Sequence, residues 1–192
     1  MRRTKVERKT REVDITLHLN IDGKGQGEAE TGIKFLNHML ITLAKHSLFD
    51  LKVKGEGDLN HHLCEDVALT LGKALRQALK EKKGIRRFGS AYVPMDESLA
   101  RAVIDVGGRA YCNLNLGLTL PQIEDMKTED FKHFFNSFAQ ASKMNLHLSV
   151  LYGDNNHHKV EAAVKALALA LRQAVRLEKR IGDRIPSAKG VM

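Results

Sequence analysis

The sequence predicts an α+β fold of two pseudo-symmetric halves, each a small sheet with two helices. Three observations predict it. A 19-residue segment occurs twice, as His61 to Leu79 and as His157 to Val175, with nine identical positions. Segments of period-two and period-3.6 hydrophobicity follow one another in the same order in both halves. The chain is 192 residues long, which suits one domain or two small halves sharing a core. The halves are taken as residues 1–90 and 91–192, together one compact domain. Two copies are too few for a solenoid, so a pseudo-symmetric domain is expected.

The elements follow in order. Val13 to Ile21 alternates apolar and polar residues and predicts a half-buried strand, and Asp22-Gly23 marks a turn after it. Phe35, Met39, Leu40 and Leu43 have helical spacing, with Thr31-Gly32 before them. Leu48 to Val53 alternates as a strand. Asp58-Leu59-Asn60 leads into a helix over His61 to Lys80, and Gly84 closes that region. Ala91 to Val93 and Ala100 to Asp105 predict strands. Phe131, Phe134, Phe135 and Phe138 predict a helix running to Ser142. Asn145 to Leu151 predicts a strand, residues 153–156 a turn, and Val160 to Leu177 the second long helix.

Composition narrows the class. Hydrophobic residues make up 43% of the chain, an ordinary share for a globular protein. No apolar run reaches the roughly 18–20 residues that span a bilayer. Met1 to Lys9 is basic and polar with no apolar stretch after it, so no signal peptide is expected. Cys64 and Cys112 form no disulfide framework and no Cys-x-x-Cys pair, so a reduced, cytoplasmic setting is expected. The net charge of +8 fits an anionic small substrate. Aromatics at 5%, not interleaved with a basic cluster, argue against nucleic acid.

The chemistry concentrates in the repeat. Both copies begin His-His-x-x-Glu, at His61, His62 and Glu65 and at His157, His158 and Glu161. On a helix the carboxylate lies beside an imidazole three or four residues away. Imidazole with carboxylate suits manganese, iron or zinc. Adjacent histidines diverge by about 100°, so the second His of each pair serves another metal. His38 precedes His61 by 23 residues and His133 precedes His157 by 24, in similar apolar settings. Two metal sites per chain are expected, built from these six histidines and two glutamates. Which His joins which metal stays open.

Other residues surround this set. His46 falls a little over two helical turns after His38, on roughly the same side. His147 lies on a strand pattern and faces either way; His18 belongs to a solvated strand face. Arg87, Arg109 after Gly107-Gly108, and Ser187 and Lys189 in the tail are the residue types that hold a phosphate. The alternatives to these readings are plain: surface arginines, a frayed tail and a capping histidine. Duplication of the His set with matched upstream histidines is what favours metal.

In these residues the chain resembles imidazoleglycerol-phosphate dehydratase, the lyase of histidine biosynthesis. The likeness runs from about Arg8 to Val191. It is carried by Phe35-Leu36-Asn37-His38-Met39-Leu40 with His46, His61-His62-Leu63-Cys64-Glu65-Asp66, Gly84-Ile85-Arg86-Arg87-Phe88-Gly89 and Pro94-Met95-Asp96-Glu97. Asp105-Val106-Gly107-Gly108-Arg109, His133-Phe134-Phe135, Asn156-His157-His158-x-x-Glu161 and Ile185-Pro186-Ser187-Ala188-Lys189-Gly190 complete it.

The resemblance implies dehydration of D-erythro-imidazole glycerol phosphate to imidazole acetol phosphate, through an imidazolate and a diazafulvene-type intermediate. It implies two Mn²⁺ per chain and four-stranded halves of the ribosomal-protein-S5-domain-2-like kind. A cytoplasmic 24-subunit homo-oligomer with sites at subunit interfaces is implied too. The implied metal ligands are His38, His61, His62, Glu65, His133, His157, His158 and Glu161. Glu12, His46, Arg87, Arg109, Ser187 and Lys189 would contact substrate, as would His38, His61, His62 and Glu65 among the ligands. Glu161 or Glu12 would carry the proton. Asn37 and Leu63 depart from the family's usual Asp and Thr, and the expectation is altered hydrogen bonding around the ligands. The competing functions are a dinuclear metallohydrolase, which uses the same ligand types, and a basic nucleic-acid-binding protein, whose affinity would fall steeply with salt.

Overall fold

In the computed structural model, which describes residues 1–192, one order of elements occurs twice. The first half comprises β1 (Arg3–Lys9), β2 (Val13–Asn20), β3 (Gly27–Glu30), α1 (Lys34–Ser47), β4 (Asp50–Gly57) and α2 (Asn60–Leu79). The second comprises β5 (Phe88–Met95), β6 (Ser98–Asp105), β7 (Tyr111–Asn115), α3 (Thr128–Ser142), β10 (Asn145–Tyr152) and α4 (Asn156–Val175). A two-stranded hairpin, β8 (Gln122–Ile123) with β9 (Met126–Lys127), is inserted before α3 and has no counterpart in the first half.

The sheets share a topology. Their orders are β1-β2-β4-β3 and β5-β6-β10-β7, each antiparallel except for its last pair. Along β2 the apolar residues Val13, Ile15, Leu17 and Leu19 are buried while the residues between them face outward, the alternation expected of a sheet covered on one side. Helices supply the cover. Each rests on its own sheet, and α1 packs on α4 while α2 packs on α3. A single cluster of 54 buried residues runs through both halves, so neither half has a core of its own.

The α2–α3 crossing is unusually close. A Cβ on Gly72 would lie 2.7 Å from the Ala141 Cβ and 2.7 Å from the Phe138 carbonyl oxygen. The equivalent position in α4 is Ala168, fully buried.

The structure corrects several boundaries. The strand expected from Leu48 begins at Asp50, because Leu48 is the left-handed cap of α1 at φ 61°. The helix expected from Val160 begins at Asn156 and stops at Val175. Its start is moved forward by Asn155, whose side chain accepts from the His157 and His158 N–H groups. Leu177 instead bridges to Ile85. Five strands have no counterpart in the sequence expectations: the short β8 and β9, and three longer ones. β1, β3 and β7 are edge strands rich in charged or polar residues, and charge is how natural edges resist further pairing.

Candidate metal centres

Each His-His pair opens a long helix, so its two rings leave the axis in different directions. At α4 the Asn155 cap sets this first turn, accepting from His157 N–H at 2.8 Å and His158 N–H at 3.3 Å. The start of α1 is capped from the other half. The Asp125 carboxylate, on the β8–β9 hairpin, accepts from Lys34 N–H at 2.6 Å and Phe35 N–H at 2.9 Å. A carboxylate there satisfies free N–H groups and complements the helix dipole. It also fixes α1 beside α4.

The helix pairing decides which ligands meet. His38 on α1 joins His157 and Glu161 on α4, and His61 and Glu65 on α2 join His133 on α3. Each early His therefore completes the other half's set. In both trios the ligand atoms lie within 4.8 Å of one another. Donors about 2.0–2.2 Å from a shared ion span at most roughly 4.4 Å, so a small contraction seats one cation in each. Two imidazoles and one carboxylate are a donor set suited to a divalent transition-metal ion.

The α1/α4 centre is half open. Glu161 Oε2 lies 3.4 Å from His157 Nε2 and 3.6 Å from His38 Nε2. Its other oxygen accepts from Lys165 Nζ at 2.9 Å. Burial works against ionisation of Glu161, but Lys165 and His38 outweigh it and hold the carboxyl below its ordinary range. His157 Nδ1 contacts the exposed Glu124 at 3.1 Å, which turns Nε2 toward the centre. His46 sits in the electrostatic reach of Lys165 and Glu161, and burial first, then Lys165, pushes its pKa down.

The α2/α3 centre is backed differently. His61 Nδ1 donates to Asp130 at 2.7 Å, and Asp130 is almost wholly buried. Ser137 Oγ donates to Glu65 at 3.4 Å. The His61 and His133 rings stand edge to face at 4.7 Å.

His62 and His158 belong to neither trio. His62 Nδ1 meets Asp58 at 2.8 Å, with Glu12 at 4.0 Å. His158 Nδ1 meets Glu97 at 2.8 Å. These carboxylates raise both imidazole pKa values, and Glu97 is driven far below the usual range, first by His158 and then by the Asn155 N–H. Neither imidazole contributes a nitrogen to a trio of its own chain, and His158 Nε2 lies 3.8 Å from Asp96 Oδ2.

The four residues expected at a phosphate converge elsewhere. Arg87, Arg109, Ser187 and Lys189 line a cleft of about 370 Å³ with Gly107 and Gly108. Arg87 already clamps Asp105 through Nε at 2.7 Å and Nη2 at 2.9 Å, and its Nη1 donates to Pro186 O at 3.0 Å. This ties the tail to the cleft. The Arg87 N–H donates to Ala174 O in the last turn of α4. Ala174 follows His157 by 17 residues of helix, roughly 25 Å at about 1.5 Å per residue. The cleft and the α1/α4 centre thus lie at opposite ends of one helix.

Sequence reasoning missed the groups behind the ligands: Asp130, Glu124, Glu97, Asp58 and Lys165. Two carried a signal, since Asp58 precedes His62 by one helical turn and Lys165 follows Glu161 by one. The others come from distant segments. The expected effect of Asn37 is not seen at a ligand: its Oδ1 accepts from the Thr31 N–H and hydroxyl at 3.1 and 2.8 Å. Leu63 is buried beneath β4, against Gly55 and Gly57.

Comparison with known proteins gives one consistent answer. The sequence profile of imidazoleglycerol-phosphate dehydratase matches residues 31–171. The chain is 49% identical over 195 aligned residues to the imidazoleglycerol-phosphate dehydratase of Methanosarcina mazei, covering all of both chains. It is 50% identical over 188 residues to that of Zymomonas mobilis, covering 96% of each. The crystal structure of the Staphylococcus aureus enzyme superimposes with a TM-score of 0.84 at 32% identity, over 92% of this chain and 99% of that one. The Pyrococcus furiosus enzyme gives 0.84 at 34%, over 97% and 100%.

Proposed function

The chain belongs to the imidazoleglycerol-phosphate dehydratase family, and from that premise we propose how its residues perform the dehydration of imidazole glycerol phosphate in histidine biosynthesis. The observation that carries the reading is the pair of His₂Glu trios, each drawn from both halves. We assign them two Mn²⁺ per chain. Bound there, Mn²⁺ supplies Lewis acidity toward the substrate's imidazole and lowers its N–H pKa.

The chain's own residues do the rest. Dehydration removes a carbon-bound proton and the neighbouring hydroxyl, so one group must take a proton and pass it on. Glu161 is committed to His38, His157 and Lys165, which suits a ligand. Glu12 is exposed beside His62, with no lysine or arginine paired to it, which suits the proton carrier. Arg109, Ser187 and Lys189 grip the phosphate, and Arg87 holds the tail through Pro186.

The roughly 25 Å of helix between the α1/α4 centre and the cleft exceeds the span of imidazole glycerol phosphate, a ring on a three-carbon phosphorylated chain. We therefore assign the complete site to neighbouring copies of the chain, with His62 and His158 turned toward a partner's trio. This accords with a closed homo-oligomer of 24 subunits and makes catalysis depend on assembly. No helix is long and apolar enough to cross a membrane, and we place the enzyme in the cytoplasm.

Chelation tests the metal directly. Activity on imidazole glycerol phosphate should vanish and return with Mn²⁺, while generic phosphoesters stay intact under both conditions. Full activity in the stripped protein would sink the scheme. Glu12→Gln should lower kcat with little change in bound Mn²⁺; unchanged turnover would remove Glu12 as proton carrier.

A further inference from the structure

We infer that the two centres hold their divalent cations with unequal affinity, tightly between α2 and α3 and exchangeably between α1 and α4. The inference rests on the metal-centre reading above. Its ground is the set of residues behind the ligands, at positions related by the repeat.

Three differences point the same way. Lys165, one turn after Glu161, places an ammonium 2.9 Å from the ligating carboxylate. A cation entering that trio meets a positive charge already paired with its only anionic ligand. The repeat puts Leu69 at the corresponding place, one turn after Glu65. Glu65 is instead met by the neutral hydroxyl of Ser137.

Asp130 is the second difference. Its carboxylate is buried to 2% exposure and bonded to His61 Nδ1 at 2.7 Å. No lysine or arginine pairs with it. A buried carboxylate lacking a cation is costly, and a divalent ion on His61 supplies the missing charge. At the repeat-related position stands Phe35, whose ring lies 4.8 Å from that of His157.

The third difference is the Nδ1 partner of His157. Glu124 is 58% exposed and 3.1 Å away, so water and salt screen it. It orients the ring more weakly than Asp130 orients His61. An outer partner of a ligating His is worth roughly 10- to 100-fold in metal affinity.

The test is a Mn²⁺ titration of the full-length chain after chelation. Bound ion would be counted by metal analysis after gel filtration, and free ion by its paramagnetic resonance signal. Two classes of one ion per chain are expected, at least about tenfold apart. Asp130→Asn and Leu69→Lys should each weaken the tighter class about tenfold or more, and Lys165→Leu should strengthen only the weaker class. Circular dichroism checks that the first two variants fold; should they not, Lys165→Leu alone decides. Two equal classes, or a Lys165→Leu effect on the tighter class, would overturn the inequality and leave the metal centres standing. No binding of Mn²⁺ at all would overturn the metal-centre reading itself.

Discussion

The α1/α4 and α2/α3 centres have the same three candidate ligand types, all within 4.8 Å of one another in each, yet different surroundings. One has an exposed Glu124, a cation at Lys165 and His46 nearby; the other has a buried Asp130 and the neutral Ser137. Duplication therefore preserved the ligands and let their neighbours diverge. Because the helices cross between halves, neither half owns a centre.

The crossing can be broken first, with the largest effect. His38→Ala and His133→Ala should each cut kcat by more than the roughly 100-fold that loss of an outer-shell partner brings. His38→Ala should be non-additive with Glu161→Gln, as expected for groups in one unit. With Glu65→Gln it should strip both centres of metal. The reverse pattern in metal content would place each centre within a half.

The helix crossings themselves come next. Gly72→Ala should destabilise by about 1–3 kcal/mol through overpacking, measured by urea unfolding. Ala168→Gly, the mirror change in α4, should cost about 1 kcal/mol through backbone entropy. Equal effects would mean that the two crossings are alike.

A smaller contrast lies at the ends of the helix–strand loops. Asp50 accepts from the Lys24 N–H at 2.8 Å, the Gln26 N–H at 3.2 Å and the Asn20 side chain at 3.1 Å. The repeat-related Asn145 donates instead to Arg109 O at 2.6 Å. Burial opposes the charge on Asp50, but its N–H donors hold the pKa below 3.8. Its contribution is thus full above pH 3.8 and fades as pH falls through the lower folded value. Asp50→Asn should cost about 1 kcal/mol at pH 7, and the gap should close in acid.

The smallest effect concerns the thiols. Burial pushes Cys112 up to about 11 and Cys64 up to about 12. Both should label slowly at pH 8, Cys64 the slower, as followed by a colorimetric thiol reagent.

What was legible follows from these same residues. Val13 to Ile21 and the two long helices announce themselves because one face is buried and the apolar period survives. The candidate ligands are legible because His-His-x-x-Glu occurs twice. The edge strands β1 and β3 are not, since Val6 and Ala29 are nearly the only apolar residues they offer. Nor is the swap of His38 and His133: both pairings fit the spacing, and only helix packing, with the Asp125 cap on α1, selects one. Asp130 and Glu124 are illegible for a similar reason, being brought to their histidines from 69 and 33 residues away.

The central claim is that metal and phosphate are gripped by different copies of the chain. Complementation tests it most directly. Glu161→Gln and Arg109→Ala proteins, each inactive alone, would be stripped of metal, mixed one to one and reassembled with Mn²⁺. If the sites lie between subunits, about a quarter of them regain both wild-type parts, and activity returns to about that level. Activity no higher than in either variant alone would place metal and phosphate within one chain.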